Sequence, residues 1–274
     1  MNQVRDLLAE ADLPGDSARL DAELLLCHCL NKPRSYLYTW PERAVPTEHV
    51  QHYRELVQSR REGRPLAYIL GEREFWSLSL LVNENTLIPR PETETLVQWA
   101  LELPLAATSV VADWGTGSGA IALALASERP SWQVLASDFS PDAVAVAVAN
   151  GQRLALDSVQ FLIADWGRGL GENSLDLVAS NPPYVASGDP HLVSGDLPHE
   201  PESALVAGSD GLDAIRQIVS LAAQCLRPQG WLLLEHGYDQ ADEVRSLLRA
   251  AGFTDVESRA DLAAIERITG GRLQ

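Results

Sequence analysis

The stretch SVVADWGTGSGAIALALASERPSWQVLASD (109–138) decides the fold. SVVAD (109–113) is a short apolar run ending on a carboxylate, and DWGTGSGA (113–120) crowds three glycines into a turn. SGAIALALASE (118–128) reads as a helix, and WQVLASD (132–138) as a second strand that again ends on aspartate. Strand, glycine turn, helix, strand is the unit from which parallel sheets are built.

Downstream the alternation continues. PDAVAVAVANGQRLAL (141–156) reads as a helix, VQFLIAD (159–165) and LDLVASN (175–181) as strands, and GLDAIRQIVSLAAQCL (211–226) as a helix. WLLLEHG (231–237) reads as a strand and DEVRSLLRAAG (242–252) as a helix, and FTDVES (253–258) and AIERIT (264–269) can close as an antiparallel pair. The expected fold is α/β: a doubly wound, seven-stranded Rossmann-like sheet with helices on both faces. Such sheets bind ligands at the carboxyl ends of their strands, at the switch point. Four polar strand ends stand there as candidates: Asp113, Asp138, Asp165 and Asn181.

Upstream, residues 1–63 read as a small helical domain. Val4, Leu7, Leu8 and Ala11 recur at helical spacing; Asp16 or Ser17 can cap a second helix striped by Leu20, Leu24 and Cys27; Thr47 precedes a third that Gly63 ends. Residues 64–90 read as a β-hairpin linker, with Leu78, Leu80 and Val82, then Leu87 and Ile88, flanking Asn83-Glu84-Asn85. Pro91 opens a helix rich in early acids, and the sheet domain runs over 91–274.

The glycine loop fits two ligands. Gly115, Gly117 and Ala120 loosely match a dinucleotide fingerprint. Asp113 ahead of them favours S-adenosylmethionine, since a carboxylate repels a pyrophosphate but suits a sulfonium ligand with an ammonium group. Asp138 can hold ribose hydroxyls of either ligand. Asn181-Pro182-Pro183-Tyr184, which starts 62 residues beyond Gly119, separates the two. A planar nitrogen conjugated to a carbonyl or a ring is a weak nucleophile. Two acceptors, the Asn181 side-chain oxygen and the Pro182 carbonyl, can hold its hydrogens and aim its lone pair at a methyl carbon. The prolines stiffen the loop, and Tyr184 offers a face for a flat amide or base. Orientation of this kind can contribute ~7–11 kcal/mol.

With these motifs the chain resembles the amino-directed methyltransferases and, more narrowly, the release-factor glutamine-N5 methyltransferases (the PrmC/HemK family). The resemblance spans GEREFW (71–76), IPRPETETLV (88–97), DWGTGSGAIALALA (113–126), SDFSPDAVAVAVAN (137–150), ADWG (164–167), NPPYV (181–185), HEPESAL (199–205), GSDGLDAIRQI (208–218) and LLLEHGYDQ (232–240). It implies that Gly115, Thr116, Gly117, Ser118 and Gly119 wrap the methionine part of S-adenosylmethionine, that Asp138 binds the ribose, and that Trp166 lies near the adenine. It implies that Asn181, Pro182, Pro183 and Tyr184 hold the substrate glutamine and that IPRPETE lies over the site. The implied reaction yields N5-methylglutamine, in the Gly-Gly-Gln loop of class 1 peptide chain release factors, and S-adenosylhomocysteine. Two departures stand out: Trp114 replaces the commoner Leu, and AAIER (263–267) lacks a glycine frequent before the last strand.

Composition narrows the partners. Among 274 residues, 21 Lys+Arg face 38 Asp+Glu, for a net charge of −17, and Lys32 is the single lysine. Residues 1–75 hold 10 basic and 12 acidic side chains, so the acidity belongs to the remainder. Such a chain is a poor partner for phosphate backbones or anionic membranes. Cys27, Cys29 and Cys225 form no disulfide framework. Cys27-His28-Cys29 has no second ligand pair, and alternate helix positions diverge, so no metal is expected. No apolar run reaches the ~18 residues of a membrane helix, and the start lacks a signal-peptide core. The expectation is a cytoplasmic monomer. Two other methylations stay open on the motifs: a ribosomal-protein glutamine, which HEPESAL and GSDGLDAI disfavour, and adenine N6 in DNA, which the charge disfavours. Glu200, Glu202, Glu235 and His236 are acid–base candidates, although a methylated amide nitrogen sheds its proton without a dedicated base.

Overall fold

The computed structural model describes residues 2–274. The chain divides into two compact units, one of residues up to Glu72 with Ser194–His199, the other of Arg73–Val193 with Glu200–Gln274.

The larger unit is built on strands β3 (Val110–Trp114), β4 (Gln133–Asp138), β5 (Val159–Ile163), β6 (Leu175–Ser180), β7 (Leu226–Glu235), β8 (Phe253–Ala260) and β9 (Glu266–Leu273). They form one seven-stranded sheet in the order β5-β4-β3-β6-β7-β9-β8. The first five are parallel; β9 runs antiparallel to both β7 and β8. The apolar runs follow from this topology, because a strand covered on both faces has no solvent side to leave polar. Val111, Ala112, Leu177, Val178, Leu232 and Leu233 are all fully buried. From β3 the chain winds outward to β4 and β5, then returns to place β6 on β3's other side. The switch point therefore falls between the carboxyl ends of β3 and β6.

Helices α6 (Glu94–Glu102), α7 (Ala120–Glu128), α8 (Pro141–Arg153), α9 (Asp213–Cys225) and α10 (Ala241–Ala250) cover the sheet. One hydrophobic cluster joins α6 and α7 to the sheet around Trp99 and Trp132, and a second joins α9 and α10 around Ile215, Ile218, Val244 and Leu248. Every residue of α7 from Ala120 to Ala126 is buried, so its four alanines let it lie close to the sheet.

The hairpin is displaced from its expected position. It pairs β1 (Glu72–Phe75) with β2 (Leu78–Leu81), and residues 66–70 ahead of it form a short helix. Its two-residue turn is Trp76-Ser77, both left-handed, with φ of 52° and 59°. That is the twist a tight hairpin needs, normally supplied by Asn-Gly. Here tertiary bonds hold it: Trp76 donates its backbone N–H to Glu94 and its indole N–H to Glu128. Asn83 does turn the chain, accepting from Asn85 N–H and, through its carbonyl, from Thr86. No returning strand follows.

The smaller unit holds α1 (Val4–Glu10), α2 (Ala18–Leu30), α3 (Arg34–Thr39), α4 (Thr47–Arg61) and α5 (Leu66–Leu70). Its core includes Val4, Leu7, Leu25, Leu26, Leu37, Val50 and Tyr53. The expected Leu20–Leu24–Cys27 stripe is a correction: Leu20 is exposed, Leu24 and Cys27 are half-buried, and α2 buries Asp21, Ala22, Glu23, Leu25, Leu26 and Cys29 instead. Two carboxylates can sit on the buried face because arginines neutralise them. Glu23 bonds Arg19, Arg34 and Tyr38, and Asp21 bonds Arg60, which also reaches Asp196. Among the described residues no helix is long and apolar enough to cross a membrane.

Candidate active site

The loop after β3 takes three left-handed glycines, with φ of 75°, 55° and 86° at Gly115, Gly117 and Gly119. Four of its amide hydrogens are already committed. Gly115 and Thr116 both donate to the Ser137 carbonyl at 2.8 and 2.9 Å, Gly119 donates to Thr116, and Gly117 donates to Asp138 Oδ2 at 2.9 Å. Under the loop, Asp113 is fully buried and takes the Thr116 hydroxyl and the Ala122 N–H on Oδ2. Burial pushes its carboxyl up to about 7. A phosphate-binding loop needs free amides aimed at the anion; this one uses four to shape itself and sets Asp138 beside them. Asp113 is thus the loop's foundation through Oδ2, while its Oδ1 is buried with no partner.

The loop borders a cleft of about 310 Å³, the low end of the ~300–1,000 Å³ usual for small-ligand sites. Gly115, Thr116, Gly117, Ser118, Asp138, Trp166, Asn181 and Pro183 of the expected set line it. Gly119, Pro182 and Tyr184 lie outside the lining: Gly119 starts α7, Pro182 is buried, and Tyr184 packs against the α9–α10 cluster. Asp138 also accepts from Ser140 N–H, and burial raises its carboxyl above the usual range. Trp166 closes over the loop, so that a Cβ on Gly115 would meet its ring at 3.0 Å. The unusual Trp114 is accommodated by Gly167, where a Cβ would fall 2.1 Å from the Trp114 ring. Leu87, Pro89, Arg90 and Thr93 form the opposite wall, with the exposed Phe139 at the rim.

Asn181 follows β6, across the switch point from the glycine loop. Its Nδ2 donates to Thr93 Oγ1 at 3.1 Å, and the Thr93 hydroxyl donates to Glu235 Oε2 at 2.6 Å. Asn181 Oδ1 is buried with no partner, and an acceptor left bare in this way costs ~1–3 kcal/mol. Such an atom calls for an explanation, and a ligand hydrogen at the wall of a cleft supplies one. Tyr184 reaches the same Glu235 through its hydroxyl at 3.4 Å.

The remaining acid–base candidates are held apart from the cleft's chemistry. Glu200 accepts from Ile88 N–H and from Arg90, Glu202 is exposed, and His236 is buried between the Gly237 carbonyl and Thr269. Sequence reading gave no role to Thr93, nor to Asn150, whose amide ties Leu81 of β2 to the Ser118 carbonyl. For Asn150 the signal available was a polar residue closing the apolar run 143–149; Thr93, between Glu92 and Glu94, carried none.

Residues 1–71 match the family model described as PrmC N-terminal domain, and residues 93–200 that described as methyltransferase small domain. The chain is 53% identical over 273 residues to the release factor glutamine methyltransferase of Pseudomonas aeruginosa, covering 99% of each chain. It is 49% identical over 257 residues to that of Shewanella oneidensis, covering 94% of this chain and 90% of the relative. A solved methyltransferase from Pyrococcus furiosus aligns with a TM-score of 0.57 at 16% identity, covering 78% of this chain and 98% of that one, a likeness of fold.

Proposed function

The chain belongs to the release factor glutamine methyltransferases, and from that premise we propose that it methylates the side-chain amide nitrogen, N5, of the glutamine in the Gly-Gly-Gln loop of class 1 peptide chain release factors. One observation carries the reading: the buried, unpartnered Asn181 Oδ1 at the cleft wall facing the glycine loop.

The donor is S-adenosylmethionine, which supplies an electrophilic methyl carbon on a sulfonium centre. The residues fit it. Four loop amides already bonded within the protein, beside a carboxylate at Asp138, suit a ligand without phosphates. The 115–118 loop would wrap its amino-acid part, Asp138 its ribose, and Trp166 its base. The protein's own work is orientation. Asn181 Oδ1 and the Pro182 carbonyl accept the two amide hydrogens of the substrate, which turns its nitrogen lone pair toward the donor. The methylated nitrogen is strongly acidic and loses its proton unaided. Glu200 is occupied by Arg90, and Glu235 stands behind Thr93, so neither is placed to take it.

The reading assigns residues 1–63 to substrate docking, 64–90 to a linker, and 91–274 to methyl transfer. An acidic monomer acting in the cytoplasm, with no nucleic acid bound directly, completes it. The test is mass spectrometry of the Gly-Gly-Gln peptide after a full-length release factor is incubated with enzyme and S-adenosylmethionine. One added methyl group on that glutamine is expected. An unmodified peptide, or methylation of duplex DNA at a matching rate, would overturn the assignment.

A further inference from the structure

The hydrogen bonds behind Asn181 have a fixed direction. Glu235, as a carboxylate, only accepts. The Thr93 hydroxyl, 2.6 Å from Glu235 Oε2, therefore directs its single hydrogen there. The Thr93 oxygen is left to accept, and Asn181 Nδ2 supplies the hydrogen at 3.1 Å. The carboxamide is thereby pinned with its nitrogen on Thr93, which leaves Oδ1, buried and without a partner, as the acceptor at the cleft wall. The opposite flip would set Oδ1 against Thr93 Oγ1 with no hydrogen between them. It would also present N–H donors to a substrate amide that itself arrives donating.

We propose that Thr93 and Glu235 are positioning residues that set the flip of Asn181, and through it the acceptor for the substrate amide. The inference rests on the glutamine-methylating reading above. Neither residue touches the reacting nitrogen; both act through Asn181. The arrangement also joins the two ends of the Asn181-Pro182-Pro183-Tyr184 loop, because the Tyr184 hydroxyl reaches Oε1 of the same carboxylate.

Fixed direction lasts only while Glu235 is ionised. A protonated Glu235 can donate to Thr93, which frees the Thr93 hydrogen for Asn181 Oδ1 and permits the wrong flip. The charged and titratable groups around Glu235 are Glu92 ahead of α6, Arg267 on β9 and Tyr184 after β6. His236, its neighbour on β7, is turned to Gly237 and Thr269. Burial and the Glu92 charge raise the Glu235 pKa, while Thr93, Arg267 and Tyr184 lower it, leaving it at about 7. The acceptor should therefore be lost as pH falls through that value.

The experiment compares Thr93→Val, Thr93→Ser, Glu235→Gln and Asn181→Ala in steady-state methylation of a full-length release factor. Thr93→Val is expected to lower kcat about ten-fold or more, with KM changed less than about two-fold, as for a bond that matters in the transition state. Thr93→Ser, which keeps the hydroxyl, should restore most of the loss. Glu235→Gln should lower kcat and abolish the acid limb of its pH profile. In the Asn181→Ala background, Thr93→Val should change nothing further. Wild-type kcat in Thr93→Val beside an inactive Asn181→Ala would overturn the positioning role and leave the reaction assignment standing. So would wild-type kcat in Glu235→Gln, a readout available even if Thr93→Val does not fold. Wild-type kcat in Asn181→Ala would sink the assignment itself.

Discussion

Two loops meet at the switch point, after β3 and after β6, and they are held by opposite means. The glycine loop is anchored by near neighbours in the chain: Asp113 below it, and Ser137 and Asp138 on the next strand, no more than about two dozen residues away. The Asn181–Tyr184 loop is anchored from afar. Thr93 lies 88 residues before Asn181, and Glu235 lies 51 residues after Tyr184. The first loop is a motif that carries its own scaffold. The second is a partly buried sequence whose geometry is decided by residues that share no local pattern with it.

Substitutions should separate these two kinds of anchoring. The largest effect is expected at Asn181→Ala, which should melt close to the wild-type temperature yet lose activity on the order of a hundred-fold, the scale of one preorganised transition-state bond. An unchanged kcat at saturating glutamine substrate would show that the distant anchors serve stability alone. Next comes Asp138→Ala. It removes the acceptor for Gly117 and Ser140 together with the carboxylate at the cleft. Titration calorimetry should show S-adenosylmethionine affinity falling by ~1.5–3 kcal/mol for each charge-assisted bond lost, with little change in the KM for release factor.

Glu235→Gln tests what the distant anchor costs. The folded carboxyl titrates at about 7, above its ordinary value of 4.5. The folded state therefore holds that proton more tightly than the unfolded chain does. Its contribution to stability is complete below about 4.5 and is lost as pH rises through 7. The stability of the Gln variant should accordingly gain on wild type between pH 4.5 and pH 7, by no more than about 3–4 kcal/mol. A constant difference across that range would remove the burial argument. The smallest effect is expected at Tyr184→Phe. Its bond to Glu235 is long at 3.4 Å and its ring stays packed, so kcat should change less than about three-fold.

The same contrast explains what the sequence disclosed. The seven strands were legible because parallel strands buried on both faces must be apolar, and the glycine loop because only glycine takes its turns at no steric cost. Asn181-Pro182-Pro183-Tyr184 stood out by residue type, and the structure places it directly after β6. Where charge pairing or tertiary bonds override local preference, the reading failed. Paired with arginines, Glu23 and Asp21 occupy a face that periodicity reserves for leucine. Trp76 and Ser77 turn a hairpin without a turn residue because Glu94 and Glu128 hold the tryptophan. Asp113 lies beneath the loop with Oδ2 claimed by Thr116 and Ala122, and spacing along a strand does not reveal which oxygen a backbone amide will claim. Thr93 was visible inside IPRPETETLV, but nothing local couples it to residues 88 and 142 positions away.

That separation bears on how the enzyme is made. A ribosome releases the chain from its N-terminus, and domains begin to fold as they emerge. β3 to β6 can pair while β7 is still being synthesised, so the glycine loop and its carboxylates are complete early. Glu235 emerges 142 residues after Thr93. Until it does, the Thr93 hydrogen has no anionic acceptor and the Asn181 amide turns freely. A nascent or C-terminally truncated chain thus acquires the loop at β3 before it acquires a working acceptor at β6. On the positioning role proposed for Glu235, fragments that end short of it should be born inert.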